Sequence, residues 1–422
     1  MSNPGGQRSG SLYRRVWRWH FYAGVFVGPI VSVVALTGFG YVFKREIEVL
    51  LYPDVLLASE PVRSEQPLDK IVASAEDSAG EGWSTRLVEV DVDQRRAFGV
   101  FLEGPEDSHQ RIFVDQYTAE PLGGLSEDSL FPVLLKLHRQ LFMGQFGRML
   151  TELSTSWGVI LVATGLYLWW PRSARRNRSV WFPRVRGYNY ASLRNLHAVM
   201  GAWASVPVVL IAVTGLVYSV YWGAGFWKVV DATGGGDLLP EWDAPALDEE
   251  ALVEPWGNAL RAARREAPGL LYTIENSGKS DAVKMVYAGP LHGPSLTRIL
   301  VVDAVTGSVH AASSFADFPA MGKWTSLNYP LHTGTILGLP SKLLWAASSL
   351  LLAFLPISGF LMWLKRKPRG TLGLPVRPGT PPTPAVLFLV VALALLFPVA
   401  GATILATAVV DYGLLRFLRL RS

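Results

Sequence analysis

Four of the seven histidines lie at matched positions in repeated segments, and these four are the residues best suited to carry chemistry. In the first repeated segment, His20 precedes Thr37 by 17 residues, and His197 precedes Thr214 by the same interval. A single histidine beside an apolar run is usually a hydrated interface residue. Repetition at a fixed interval instead indicates a shared role.

The second repeated segment begins at a Leu-His pair. His138 precedes Gly165 by 27 residues, and His332 precedes Gly359 by the same interval, so the two copies align without a gap. The chain therefore contains two copies of the same arrangement, each with a first segment, an insert and a second segment. Duplicated halves of membrane proteins often place shared sites on a pseudo-twofold axis, and the sequence predicts such a repeat.

Histidines that meet across such an axis could bind haem iron, which accepts axial imidazoles and is held between facing helices of bundles. We predict that His20 pairs with His197 and that His138 pairs with His332. Seventeen residues of helix span about 26 Å, which keeps the two levels apart. Zinc is less suited, because two imidazoles alone leave its coordination shell incomplete.

Glycines and arginines near the histidines extend this prediction. A flat macrocycle could lie against bare backbone at Gly24, Gly28, Gly144, Gly201 and Gly334, although such glycines also serve helix packing. Haem propionates could be bound by Arg18, Arg139 and Arg194. The alternative for the arginines is a purely topological role.

Membrane-spanning helices are the elements expected to position these residues. Half of the 422 residues are hydrophobic, and the excess lies in long runs, which is typical of a membrane protein. Five runs are apolar and mostly long enough to cross about 30 Å of hydrocarbon: Phe21–Phe43, Leu153–Trp170, Ala198–Trp222, Leu343–Leu364 and Ala385–Val410. The weakly polar residues 142–151 are expected to extend the second helix, and Pro398 is expected to kink the fifth.

Charge placement predicts the orientation. Segments 8–18, 171–196 and 365–380 contain four, seven and five basic residues and no acid, whereas 44–137 and 223–331 contain 19 and 13 of the 34 acidic residues. By the positive-inside rule the basic segments are cytoplasmic and the two acidic inserts are periplasmic, as in a bacterial inner-membrane protein. The basic excess is thus assigned to topology and anionic lipid rather than to nucleic acid.

Each acidic insert is predicted to be a small α+β module. Helical spacing occurs at Leu68–Ser78 and Glu249–Glu266. Strand patterns occur at Thr85–Val92, Ala97–Leu102, Arg111–Asp115, Leu270–Glu275, Ala282–Tyr287 and Arg298–Val302. The inserts close on Val-Asp-x-x-Thr sequences at Asp115 and Asp303, where Asp suits a tight turn better than catalysis.

Several classes of chemistry are excluded by what the sequence lacks. It contains no cysteine, which excludes disulfides, c-type haem attachment and thiolate metal sites. No G-x-G-x-x-G follows a predicted strand and no Walker sequence occurs. The sequence therefore predicts no flavin or nicotinamide fold within this chain.

The predicted fold is a membrane α-helical bundle of about five spans, with an internal tandem repeat of paired helices and two α+β inserts. The predicted segments are a cytoplasmic N-terminus with the first span (1–46), the first insert (47–136), the second span (137–172), a basic cytoplasmic loop (173–196), the third span (197–222), the second insert (223–330), the fourth span (331–366), a Pro-rich cytoplasmic loop (367–384) and the fifth span with the C-terminus (385–422).

The most specific motifs are Trp17-Arg18-Trp19-His20, Leu196-His197, the Leu-His pairs at 137 and 331, the Thr-Gly-Leu-Tyr-Leu-Trp-Trp-Pro-Arg sequence at 164–172 and the Val-Asp-x-x-Thr turns. With these motifs the chain resembles the PepSY-associated transmembrane-helix family over essentially its whole length. The resemblance implies PepSY-like periplasmic inserts. Ser358 and Leu364 depart from the Thr and Trp of the first copy, and neither departure is expected to affect ligation.

The family includes inner-membrane, haem-containing reductases of ferric siderophores, of the FoxB and PiuB type. The resemblance implies that His20, His138, His197 and His332 are the axial ligands of two b-type haems. Electrons would pass from a cytoplasmic reductase or quinol to a periplasmic ferric siderophore or other chelate.

The ferric chelate is expected to bind at the outer surface, between the two inserts and above His138 and His332. Arg139, Trp324 and Tyr329 could contact it there, and they could equally be ordinary interface residues. Two other functions stay open. One is a membrane-anchored PepSY protein that binds a periplasmic protein without redox activity. The other is a siderophore permease, although the predicted spans contain almost no ionisable groups besides the histidines.

Overall fold

A computed structural model describes residues 4–59, 64–170, 181–242, 254–277, 282–375 and 384–419. Its helices are α1 (Pro4–Val42), α2 (Lys44–Leu51), α3 (Pro53–Leu56), α4 (Leu68–Ala79), α5 (Leu130–Gln140), α6 (Gly144–Trp169), α7 (Tyr190–Leu216), α8 (Tyr221–Ala232), α9 (Pro255–Glu266), α10 (Ala320–Thr333), α11 (Leu339–Arg366), α12 (Pro384–Leu396) and α13 (Pro398–Arg419). Parts of both predicted cytoplasmic loops, 171–180 and 376–383, lie outside the described residues.

Four helices, α1, α6, α7 and α11, are long and apolar enough to cross a membrane. Each of α1 and α7 packs against both α6 and α11, so the four form a closed ring with α1 and α7 on a diagonal. Small residues allow the close approach of α1 and α11, since a Cβ at Gly28 would lie 2.8 Å from Pro356 Cβ. The second helix begins at Gly144, so residues 144–151 of the predicted extension 142–151 belong to it, and residues 142 and 143 precede it.

The fifth predicted span, Ala385–Val410, is divided in the structure. Among the described residues it forms two shorter apolar helices, α12 and α13, which meet at Pro398, as the proline predicted. The indole N–H of Trp157 on α6 donates to Thr403 Oγ1 on α13 at 3.1 Å, so α13 is attached to the bundle. The count of five spans stays a prediction.

The two inserts build one antiparallel sheet rather than two separate modules. Its strands are β1 (Ser84–Val90), β2 (Phe98–Glu103), β3 (His109–Val114), β4 (Pro121–Gly123), β5 (Leu271–Asn276), β6 (Val283–Gly289), β7 (Arg298–Asp303) and β8 (Val309–Ser314). The order is β4-β3-β2-β1-β5-β6-β7-β8. Strands β4 and β8 were not predicted, and neither was the junction, in which Val88 of β1 pairs with Ile274 of β5.

Helices α4 and α9 cover one face of this sheet and enclose a single core that contains residues of both inserts. The Asp69 carboxylate on α4 accepts hydrogen bonds from the backbone N–H groups of Trp256 (3.0 Å) and Gly257 (2.8 Å) in the first turn of α9. A carboxylate at this end of a helix stabilises it. The inserts therefore form one structural unit. Residues 249–253 of the second predicted helix lie outside the described part of the chain.

The Val-Asp-x-x-Thr sequences are turns, as predicted. The Asp115 carboxylate accepts backbone hydrogen bonds from Tyr117 and Thr118, and that of Asp303 accepts them from Val305 and Thr306. Burial opposes ionisation of Asp115, but the hydrogen bonds outweigh it and lower the pKa of this carboxyl.

Candidate functional site

The first pair of histidines lies between the diagonal helices of the ring. His20 on α1 and His197 on α7 have ring centroids 6.2 Å apart, with ring planes at 85°. We call these two residues the inner pair. They are the pair predicted from the sequence.

The second pair comprises His138 and His332, with ring centroids also 6.2 Å apart and ring planes at 58°. We call these two residues the outer pair. They lie on α5 and α10, short helices that precede α6 and α11, rather than on the spans themselves. The chain reverses after α5 at Leu141 and after α10 at Gly334, both of which have positive φ.

A hydroxyl group from a neighbouring helix lies at hydrogen-bond distance from the Nδ1 atom of each histidine. The pairs are His20 with Thr164 (2.9 Å), His138 with Thr37 (3.0 Å), His197 with Ser358 (2.8 Å) and His332 with Thr214 (3.4 Å). These hydroxyls belong to the repeated Thr-Gly and Ser-Gly sequences. The sequence marked these dipeptides as part of the repeat without showing which histidine each one serves.

The hydroxyl groups are oriented by their own helices. Each donates its proton to a carbonyl three or four residues earlier: Thr37 to Val33, Thr164 to Ile160, Thr214 to Leu210 and Ser358 to Leu355. The oxygen is then left to accept a hydrogen bond from histidine Nδ1–H. The network thus assigns the proton to Nδ1 and the free lone pair to Nε2.

Within the described residues, none of the four Nε2 atoms makes a hydrogen bond. A histidine that donates through one ring nitrogen and offers the other is arranged as metal-ligating histidines are. A metal ion bound by two imidazole nitrogens at about 2 Å each separates the ring centroids by roughly 6 Å. Both observed separations match that value.

Glycines that follow the hydroxyl residues make room for the rings. A Cβ would lie 3.2 Å from His20 Cε1 at Gly165, 3.3 Å from His138 Cε1 at Gly38, 2.8 Å from His332 Cε1 at Gly215 and 3.9 Å from His197 Cε1 at Gly359. The glycines named from the sequence are different ones, and their contacts distinguish a macrocycle surface from helix packing.

Those other glycines mostly have structural roles. Gly28 and Gly201 face Pro356 and Leu355 of α11, so they serve helix packing. Gly144 and Gly334 have positive φ in the turns that precede α6 and α11. Gly24 and Gly144 have open space around their Cβ positions, and of these two only Gly24 lies on helical backbone without a positive φ, which suits a bound group.

The glycines beside the rings give a first prediction. Gly215→Ala should displace His332, because the new methyl group would lie 2.8 Å from its ring, and Gly359→Ala should be tolerated at 3.9 Å from His197. If each pair binds a coloured metal cofactor, the first variant is expected to lose it from the outer pair, and the second is expected to retain it at the inner pair. The measurement is visible absorbance per mole of protein. Equal behaviour of the two variants would contradict this interpretation of the glycines.

The arginines named from the sequence differ in their surroundings. Arg18 lies two residues before His20; its guanidinium lies 5.5 Å from the Tyr22 ring, and its Nε atom is buried without a hydrogen-bond partner. Arg139 and Arg194 are exposed and form no ion pair in the described part of the chain. A buried unpaired donor fits an anionic group near the inner pair, and propionate binding by the three arginines stays a prediction.

The outer pair lies beside an aromatic ring, that of Tyr218, and one cationic side chain, that of Arg139. On α5, outside the four candidate spans, burial lowers the pKa of His138 to about 4, and His332 adds to this effect. The Tyr218 ring lies 5.8 Å from that of His332, and burial raises the pKa of Tyr218 to about 12. Neutral imidazole is the form that binds metal.

The sheet lies over the outer pair's end of the bundle. A cavity of about 210 Å³ is lined by Tyr41, Lys44 and Glu48 on the bundle side and by Arg111 and Phe113 of β3. The Arg111 guanidinium lies 4.4 Å from the Phe113 ring centroid. Charged and aromatic side chains therefore separate the sheet from the helices that carry the outer pair.

Fold and site together define a multi-pass membrane protein in which a helical bundle holds two histidine pairs beneath an antiparallel sheet. A family model described as the PepSY-associated TM region matches residues 17–366, which include all four histidines. The chain belongs to this family. None of the curated proteins compared with it matches the chain.

Proposed function

We propose that the protein is an inner-membrane, di-haem reductase that passes electrons across the membrane to a periplasmic ferric siderophore or other ferric chelate. The observation that carries this proposal is the arrangement of the two histidine pairs. In each pair the ring centroids lie 6.2 Å apart, close to the separation expected for two imidazoles on one metal ion, and in the described structure no Nε2 atom makes a hydrogen bond.

Two imidazoles complete the coordination of an iron whose other four ligands come from a porphyrin. They do not complete that of zinc. Bound haem b would supply one-electron transfer. The chain's own residues fix the ligand tautomers through Thr37, Thr164, Thr214 and Ser358 and surround the rings with apolar helices.

The inner pair lies on α1 and α7, and the outer pair contacts the same two helices at the opposite level. On α1, His20 belongs to the inner pair, and Thr37, which contacts His138, lies 17 residues further along. On α7, His197 and Thr214 repeat this relation with His332. Seventeen residues rise about 26 Å, most of the roughly 30 Å of hydrocarbon, so two centres could serve as a relay across the membrane.

The proposed orientation has the inner pair toward the cytoplasm and the sheet in the periplasm, and the charge of the basic segments supports it. We infer that the halves are tandem repeats related by a pseudo-twofold axis. Support comes from the mirrored strand order and from the equivalent hydroxyl partners of the histidines. A quinol in the membrane or a cytoplasmic reductase would supply electrons on the inner side.

The acceptor surface is proposed at the rim of the cavity between sheet and bundle. Its volume of about 210 Å³ is below the roughly 300–1,000 Å³ of ordinary ligand pockets, so a bulky chelate would dock at the rim rather than enter. Reduction of iron(III) to iron(II) consumes one electron and weakens its binding by hard oxygen ligands. The iron is thereby released.

The argument against the permease alternative was that the predicted spans contain almost no ionisable groups besides the histidines, and the structure modifies that premise. Glu152 on α6 and Lys342 on α11 are buried. Glu152 accepts backbone hydrogen bonds from Tyr221 and Trp222 at the start of α8, and Lys342 contacts Glu46 at 2.6 Å. Both groups are thus held by structural partners, which gives no support to a transport route.

Purified protein from haem-sufficient cells is expected to contain two haems per chain and to show a low-spin, bis-imidazole visible spectrum. The measurement is a pyridine haemochrome assay against protein concentration, together with reduced and oxidised spectra. A colourless, folded preparation would remove the redox proposal and favour a membrane-anchored binding protein instead.

A further inference from the structure

The two histidine pairs differ in what holds their Nδ1 atoms. In the outer pair a main-chain carbonyl is also within hydrogen-bond distance: that of Val34 lies 2.9 Å from His138, and that of Ile211 lies 3.0 Å from His332. In the described structure, His20 Nδ1 has a hydrogen bond to the Thr164 hydroxyl only. The two levels are therefore not equivalent.

His197, the other inner ligand, is intermediate. Its hydrogen bond goes to Ser358 Oγ at 2.8 Å, while the carbonyl of Leu355 interacts with the ring as well. The sharpest contrast in the structure is between His20, whose Nδ1 contacts one hydroxyl, and His138, whose Nδ1 contacts a hydroxyl and a carbonyl.

A carbonyl and a hydroxyl hold a ring differently. The carbonyl is an acceptor only and is fixed by the helix, whereas the hydroxyl oxygen accepts only while its own proton is donated elsewhere. Hydrogen bonds at the second nitrogen set the tautomer and raise the basicity of the ligating nitrogen. Loss of the single bond at His20 would leave a buried N–H without an acceptor.

We propose that Thr164 is the positioning residue of the inner centre and that Thr37, its repeat equivalent, is dispensable at the outer centre. This inference rests on the proposed function, since it concerns haem ligation. The Thr164 hydroxyl alone sets the tautomer and orientation of His20, and the Val34 carbonyl does so for His138 without Thr37.

The experiment compares Thr164→Val with Thr37→Val in the full-length protein. Both changes keep the side-chain volume and remove a hydroxyl that also donates to its own helix, so they are matched. We expect Thr164→Val to weaken haem binding at the inner centre at least about tenfold and to shift the reduction potential of any haem retained there upward. Thr37→Val should change haem binding at the outer centre by no more than about twofold and should leave the reduction potential of that haem unchanged.

Thr164→Ser is the rescue variant, because Ser358 already performs the same role for His197. It should restore haem content and potential to those of the parent. The haem of the outer centre serves as an internal measure of folding, and Thr164→Ala repeats the test if valine packs poorly. Readouts are haem stoichiometry, spectroelectrochemical titration and the low-spin spectrum.

Equal effects of Thr164→Val and Thr37→Val in a protein whose parent holds two haems would overturn this inference alone. Failure of Thr164→Ser to restore the inner centre would also overturn it, because then the methyl group rather than the hydroxyl matters. A parent protein without haem would overturn the proposed function itself.

Discussion

Replacing His197 with Ala is expected to remove about half of the haem from the purified protein. His197 lies on α7 at the inner level, with its ring centroid 6.2 Å from that of His20. Loss of one of two axial imidazoles removes half of the protein's ligands for that iron. Any haem that stays at the inner centre would have His20 as its protein ligand and would give a high-spin spectrum.

The outer centre should be spared by this substitution. His138 is held by Thr37 and Val34 on α1. His332 is held by Ile211 and Thr214, toward the other end of α7 from position 197. About 26 Å of helix separates the levels, so no outer ligand contacts the substituted side chain. The retained haem should keep its low-spin bands and its reduction potential.

The matched control is His109→Ala, since His109 is an exposed histidine on β3 of the sheet. It should leave both haems in place. If His197→Ala kept its full haem content, or lost both haems while remaining folded, the assignment of ligands to levels would be wrong.

The pairing of the histidines was accessible from the sequence for a physical reason. Helices rise by a fixed amount per residue, so the equal intervals from His20 to Thr37 and from His197 to Thr214 placed both histidines at one level. The repeat did the same for His138 and His332. The depth and the pairing of the histidines therefore follow from residue intervals, which the amino-acid sequence gives directly.

The hydroxyl partners were not accessible in the same way. Thr164 on α6 holds His20 on α1, and Ser358 on α11 holds His197 on α7. These bonds cross between helices, so they depend on the order of the helices around the bundle, which no interval reveals. The substitution of Ser for Thr at 358 was expected not to affect ligation. Its hydroxyl retains the contact.

The single sheet was not predicted, because the hydrophobic pattern of a strand does not identify the strand with which it pairs. Val88 and Val90 of β1 show the alternation of a half-buried strand, and that pattern is satisfied equally by either neighbour. The pairing of β1 with β5 follows from the close approach of the inserts over one bundle. The hydrogen bond from the Trp256 N–H at the start of α9 to Asp69 on α4 is one contact between the two inserts.

The sequence left open whether Gly28 and Gly201 serve a macrocycle or helix packing, for a related reason. Gly28 and Gly201 follow their histidines by two turns and one turn of helix, which suggested a surface for a macrocycle. In the structure they face α11, because the ring of four helices brings a neighbour against that side of α1 and α7. Small residues there serve packing.

Ferric chelates are expected to reoxidise the dithionite-reduced protein through the outer centre, at the rim of the cavity beneath the sheet. Tyr329 is 58% exposed and interacts electrostatically with Tyr41 and Lys44, two residues that line that cavity. Arg139 is an exposed cation next to His138. We expect a polar, bulky complex to contact both of these groups.

Three substitutions test this surface: Arg139→Ala, Trp324→Ala and Tyr329→Ala. Stopped-flow reoxidation by several ferric siderophores is the measurement, and Phe182→Ala, an exposed aromatic in the segment before α7, is the control. A contact that is lost in the docked complex costs about 1–2 kcal/mol, so reoxidation should slow about 5- to 30-fold for chelates that use it. His138→Ala should abolish rapid reoxidation for every chelate, because the proposed relay has the outer centre as its last carrier. Reoxidation at the parent rate in all three surface variants, with haem content unchanged, would place the entry site elsewhere, whereas slowing for some chelates only would show that this surface selects the substrate.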